Sequence, residues 1–163
     1  LEYWIMQVKM DGWQAGLRFS AAHFIPSHNK CSRLHGHDYA IMVRIWGTPV
    51  DGIVVDYDDI SREVMSIIGK MDHKLLIPTL SDIISHKCSG GVCEISYNNK
   101  RISVSESDVC LCETKSSSSE DLSKYISEQL AGKLKGMTNV KGLEIGVQEG
   151  PGQGAYSEVI MND

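Results

Sequence analysis

The chain has 163 residues, 42% of them hydrophobic and 23% charged, with a formal net charge of -5. This length suits a single domain, expected over 1–163, with a core large enough to fold without staples. No run of Lys or Arg is long enough for a basic footprint, which argues against a general nucleic-acid or anionic-membrane role, and no apolar run approaches the ~18 residues of a spanning helix.

The opening LEYWIMQVKM alternates like a strand and lacks the charged start and small-residue cleavage site of a signal peptide, so a cytoplasmic protein is expected. Strands are predicted over residues 3–10 and 13–24, the second ending at His23. The loop PSHNK follows, and from His35 the stretch HGHDYAIMVRIWG reads as a third strand to Gly47. After the turn TPVDG, a helix is predicted over Tyr57 to Lys70, with Ile60, Val64, Ile67 and Ile68 at helical spacing. MDHKLL then reads as the start of an irregular segment, and CEISYNNKRISV as a hairpin turning at Asn98-Asn99. DVCLCETK suits a short strand. The second helix has Ser119 as expected N-cap and Leu122, Ile126, Leu130 and Leu134 as its apolar stripe. Two strands around a Gly-rich turn close the chain. The order predicts an α+β domain with a mostly antiparallel sheet.

The chemistry gathers in CSRLHGHDY, Cys31 to Tyr39. His35 and His37 stand two residues apart in a predicted strand, so both rings can face one ion. His23, ending the preceding strand, is the natural third ligand, and His28 in the loop is the reserve. Three nitrogen ligands and an open position suit catalytic zinc; half-buried strand histidines are the alternative. Cys31 suits a fourth ligand, a small loop hydrophobe, or a base activated by its cationic neighbours. Asp72 and His73 are adjacent, and in an extended segment their side chains point apart. On their own, Glu120 reads as a favourable acid in a helix's first turn and Glu149 as a solvated strand end.

The five cysteines are an odd count that, without a signal peptide, argues against a secreted disulfide framework. Cys88, Cys93, Cys110 and Cys112 fall in the segment 80–113. Their spacing is looser than a zinc knuckle, so buried or unpaired thiols are favoured over a second zinc site, with a disulfide between two of them also open. GPGQGA at 150–155 looks like a dinucleotide fingerprint but lies between two strands with no helix to meet a phosphate. It is expected to be a hairpin loop.

Taken together, FSAAH at 19–23, CSRLHGHDY at 31–39, VVDYDDI at 54–60, MDHKLL at 71–76, SSSEDL at 117–122 and QEGPGQGAY at 148–156 resemble, in order, the 6-pyruvoyl-tetrahydropterin synthase family, including its 6-carboxy-tetrahydropterin synthase branch. The resemblance covers nearly all of the chain outside the insertion at about 80–113. It implies a tunnelling fold: a four-stranded antiparallel sheet with two helices on one face, here carrying an inserted hairpin segment. Subunits of that fold join into homo-oligomers, commonly hexamers built as dimers of trimers, with sites at subunit interfaces. It implies Zn2+ on His23, His35 and His37 and Cys31 as general base. Asp72 and His73 would relay protons from a neighbouring subunit. Glu149 matches the late catalytic glutamate, and Glu120 the glutamate that anchors the pterin edge.

The substrate so implied is the pterin 7,8-dihydroneopterin triphosphate. The compact Cys-x3-His-Gly-His spacing resembles the carboxy branch, which loses acetaldehyde and triphosphate to give 6-carboxy-5,6,7,8-tetrahydropterin for 7-deazaguanine (queuosine and archaeosine) synthesis. The pyruvoyl product, with triphosphate release alone, is the alternative. A pterin- or purine-binding homologue without activity is the second, disfavoured by the intact base and relay. Cys31 argues against a third branch, linked to folate synthesis, that carries glutamate there. Ser117-Ser118 stand where the family has Pro-Thr, Asp121 and Asp38 where it has Asn, and Gly150 where it has Thr. These departures touch substrate contacts and leave the metal ligands intact.

Overall fold

The computed structural model describes residues 4–161, so the expected strand start at residue 3 lies outside the described residues. Strand β1 (Met6–Met10) is followed by one helical turn, α1 (Gly12–Ala15), and by β2 (Arg18–His23). The strand expected over 13–24 therefore starts late. Asp11 caps the turn by accepting from the Trp13 amide, and Gly16 ends it at φ 74°, a left-handed conformation that glycine adopts without a Cβ clash. Gly12 lies against the Ile41 backbone, where any side chain would collide.

The long strand β3 (His35–Gly47) is the spine of the sheet. Along one edge it pairs antiparallel with β2 through His35–Ala40 and with β1 through Val43–Gly47. Along the other it pairs with β9 (Val140–Gly150), which pairs with β10 (Gln153–Ile160). Helices α2 (Tyr57–Ile68) and α3 (Ser119–Leu134) lie on one face. Their stripes, Ile60, Val64 and Ile68 and Leu122, Ile126 and Leu130, share one core with Phe19, Tyr39, Ile41, Ile45, Ile145 and Val147 of the sheet. The N-cap of α3 is Ser118 rather than Ser119: its hydroxyl accepts from the Asp121 amide, while the Asp121 carboxylate accepts from the Ser116 amide. This reciprocal pair fixes the start of the helix as a capping box does.

The sheet is wider than the expected four strands. Residues 74–78 form β4 (Lys74–Pro78), which joins β2 in parallel, and β8 (Val109–Cys112) joins β4 in parallel. The expectation that MDHKLL starts an irregular segment fails from Lys74 on, where the KLLIP stretch is a strand that does not alternate. In fact Leu76 faces the main core, while Leu75 and Ile77 face a second core with Phe24, Ile84, Ile95 and Tyr97. A strand buried on both faces reads as a continuous apolar run. The second core is closed by an antiparallel meander of β5 (Ser85–Ser89), β6 (Val92–Tyr97) and β7 (Lys100–Ser105). The expected hairpin is its β6–β7 arm, turning at Asn98 with φ 51°.

Cys88 and Cys93 face each other across β5–β6 and form a disulfide. A four-thiolate zinc site is thereby ruled out for this state. Cys110 and Cys112 lie on β8 with their sulfurs 3.7 Å apart. No helix among the described residues is long and apolar enough to cross a membrane.

Candidate metal centre and active site

The β2–β3 register sets His23 opposite His35 and Ala21 opposite His37. All three imidazoles therefore emerge from one sheet face, at the end beyond the Phe19–Tyr39 stack. Their ring centroids are 4.5 to 5.1 Å apart, and one nitrogen from each lies within 4.8 Å of the others. Among the described residues this is the one group of three such side chains able to share an ion.

Two of the outer ring nitrogens are already committed. His23 Nδ1 donates to the Ser117 carbonyl at 2.8 Å, and His35 Nδ1 donates to the Arg33 carbonyl at 2.7 Å. A carbonyl can only accept, so each bond fixes the tautomer that leaves Nε2 with a lone pair. The Nε2 atoms of His23 and His37 are buried and have no hydrogen-bond partner. Buried polar atoms are seldom left so, and a cation of the zinc class would satisfy both. Burial is also the main reason the His23 pKa falls from 6.5 to about 4, aided by its two neighbouring imidazoles and opposed by its bond to Ser117. The ring is thus neutral, as a ligand must be.

Glu149, near the end of β9, stands 3.9 Å from Nε2 of both His23 and His37. The GPGQGA stretch does carry the β9–β10 hairpin, but the turn itself is only Pro151 and Gly152, the latter at φ 87°, while Gly150 ends β9 and Gln153 starts β10. Behind the imidazoles, Tyr39 is fully buried with its hydroxyl unpartnered. Burial, and then the Glu149 charge, raise its pKa, so it remains a neutral phenol.

Cys31 sits half-buried in the loop between β2 and β3. Its amide donates to His28 Nδ1 at 3.0 Å and its carbonyl accepts from the Ile25 amide at 2.7 Å. His28 thus holds the loop together and is not part of the histidine group.

Asp72 and His73 do meet, against the expectation for an extended segment. His73 adopts φ 59°, which turns the pair around so that its Nδ1 donates to Asp72 Oδ1 at 2.9 Å. Asp72 Oδ1 also accepts from the Ser20 amide at 2.9 Å. That bond, and then the bond and charge of His73, hold its carboxyl below the usual range. The His73 ring is 81% exposed. Among the described residues no hydrogen bond or ion pair joins this pair to Cys31.

Glu120 is exposed in the first turn of α3, with Ser119 Oγ at 3.5 Å, and among the described residues no hydrogen bond or ion pair joins it to the histidines. The departure at Asp38 is explained locally, since its carboxylate pairs with Arg18 from the neighbouring strand. Sequence reasoning missed Ser117, which matters through its carbonyl. Every residue has a carbonyl, so nothing in residue type marks this one. Tyr39 was also missed, though an aromatic two residues beyond His37 on the same strand face was a usable signal.

A family described as 6-pyruvoyl tetrahydropterin synthase matches residues 14–158. The chain is 34% identical over 154 residues to a Methanocaldococcus jannaschii protein named "Putative 6-carboxy-5,6,7,8-tetrahydropterin synthase", covering 92% of this chain and 94% of that one. It is 39% identical over 64 residues to the 6-carboxy-5,6,7,8-tetrahydropterin synthase of Bacillus subtilis, 37% of this chain and 42% of that one. Among solved structures, the 6-pyruvoyl tetrahydropterin synthase of Plasmodium vivax matches with a TM-score of 0.86 at 27% identity, covering 96% of this chain and 99% of that one.

Proposed function

The chain belongs to the 6-pyruvoyl tetrahydropterin synthase family, and on that premise we propose that it has the tunnelling fold's zinc-dependent lyase activity, converting 7,8-dihydroneopterin triphosphate to 6-carboxy-5,6,7,8-tetrahydropterin with loss of acetaldehyde and triphosphate. The observation that carries this is the convergence of His23, His35 and His37, with two orphaned Nε2 atoms beside Glu149. The three imidazoles would hold the zinc. Zinc bound there supplies Lewis acidity that makes protons beside the substrate's side-chain hydroxyls easier to remove.

The remaining roles fall to the chain's own groups. Cys31 takes a proton from the substrate side chain. Glu149, beside two of the ligands, holds and returns a proton on the same side. Glu120 accepts two parallel hydrogen bonds from the guanidine-like pterin edge. Asp72 locks the His73 tautomer with Nδ1–H toward itself, leaving Nε2 to pass protons. Because that ring is exposed and unconnected to its own Cys31, the relay serves the cysteine of a neighbouring subunit in a homo-oligomer, a hexamer formed as a dimer of trimers.

The carboxy product is favoured by the names of the relatives and by the three-residue gap between Cys31 and His35. The pyruvoyl product is a second reading, favoured by the likeness to the Plasmodium vivax enzyme. Zinc-loaded protein incubated with dihydroneopterin triphosphate separates them. Acetaldehyde with 6-carboxy-tetrahydropterin is the expected result. Triphosphate without acetaldehyde would support the pyruvoyl reaction, and pterin binding without turnover would leave a binding protein.

A further inference from the structure

The turn between β6 and β7 lies against the loop that carries Cys31. Phe24, which leads into the loop, stacks on Tyr97 with centroids 3.9 Å apart and planes within 8°. The Tyr97 hydroxyl donates to the Ser32 carbonyl at 2.9 Å, and Lys100 Nζ donates to the same oxygen at 2.9 Å. Asn98 Nδ2 donates to the Pro26 carbonyl at 3.3 Å. One turn of the insertion therefore holds the loop on both sides of Cys31, at Phe24 and Pro26 before it and at Ser32 after it. Burial raises the Tyr97 pKa, so the phenol stays a donor.

The loop's own bonds do something different. Ile25 to Cys31, Ser32 to His28 and Arg33 to Lys30 close it upon itself through backbone groups. They set its shape but not its position relative to the β6–β7 side of the molecule. Two donors converging on one carbonyl fill both of its lone pairs, and one donor is a cation, which strengthens the bond. The Ser32 carbonyl is one residue from the thiol, so a shift there moves Cys31 directly.

We propose that Tyr97 and Lys100 are positioning residues, and that the inserted meander acts as a clamp fixing the loop that carries Cys31. This deepens the functional reading above and rests on Cys31 being the base. A displacement of about 1 Å in a reacting group can cost on the order of 100-fold in rate, so a modest loosening of the loop has a measurable effect.

The test uses Tyr97→Phe, Lys100→Met and the double variant in the full-length protein. Tyr97→Phe retains the ring that stacks on Phe24 and removes only the hydroxyl, so the second core is preserved. The expected result is a fall in kcat of roughly 10-fold or more in the double variant with KM within about 2-fold, and recovery in Lys100→Arg, which restores a cationic donor. Two further measurements do not need turnover: amide hydrogen exchange over residues 25–32, and the pH profile of iodoacetamide labelling of the Cys31 peptide, read by mass spectrometry. The clamp predicts faster exchange and an altered labelling profile in the double variant. If the wild type proves inactive, the functional reading fails, while exchange and labelling still decide the clamp. A lowered melting temperature with unchanged kcat, exchange and labelling would mean that the contacts only brace the fold, and would overturn the proposal.

Discussion

Metal-free protein should lose stability as the pH falls from about 6.5 to about 4, and His23 sets the sign. Folded, its ring resists protonation until about pH 4, mainly because it is 1% exposed. Unfolded, it takes a proton near 6.5. Between these values the unfolded chain binds more protons, so the unfolding free energy drops as pH drops, by up to about 1.4 kcal/mol per pH unit. Across the whole window this comes to about 3 kcal/mol. His35 and His37 from β3 face the ring, and Glu149 from β9 stands 3.9 Å away. These groups and the carboxylates elsewhere titrate too, so the quantity to measure is a difference. Urea unfolding midpoints of chelator-stripped wild type and His23→Gln are compared at pH 7, 6, 5 and 4.5. The variant should be the flatter of the two, so the wild-type midpoint minus the variant's should fall as pH falls. A value of that difference that stays constant over this range, or rises toward acid, would refute the assignment of a buried neutral imidazole.

Cys31→Ala should abolish turnover while zinc content by atomic absorption stays at the wild-type level; loss of zinc would make the thiol a ligand. Glu149→Gln should lower kcat by roughly 100-fold or more, as expected for a proton-transferring group, with zinc retained; steady-state kinetics beside metal analysis will tell. Leu76→Ala and Ile77→Ala should each cost about 2–5 kcal/mol, because these neighbours are fully buried in different cores. Urea melts that found either change harmless would contradict the two-sided burial of β4. Ser118→Ala should cost about 1 kcal/mol by removing the cap of α3. It should also weaken zinc binding, since the adjacent Ser117 carbonyl orients His23, and a competitive chelator titration would detect that.

The histidine site was legible because its spacing is short-range. His35 and His37 share a strand face through the two-residue period of any strand, and His23 ends the strand before it. The helices were legible for the same kind of reason, since their buried residues recur at helical intervals. β4 was not legible, because a strand covered on both faces carries no alternation to read. The first helical turn was hidden too, since it takes only four residues and is set by Asp11, Gly12 and Gly16 against the backbone of β3.

The sequence alone determined the grouping of the three histidines, the order of the main elements and the likeness to pterin synthases, all of which depend on residue type and local spacing. The tertiary structure decided what depends on groups far apart in the chain. It brought the Ser117 carbonyl to His23 across 94 positions and Glu149 to the same ring. It turned Asp72 and His73 toward each other through one left-handed residue. It also set Tyr97 and Lys100, 65 and 68 positions beyond Ser32, on the loop of Cys31. Backbone acceptors and positive φ angles leave no mark in composition, and only the folded chain brings them to the site.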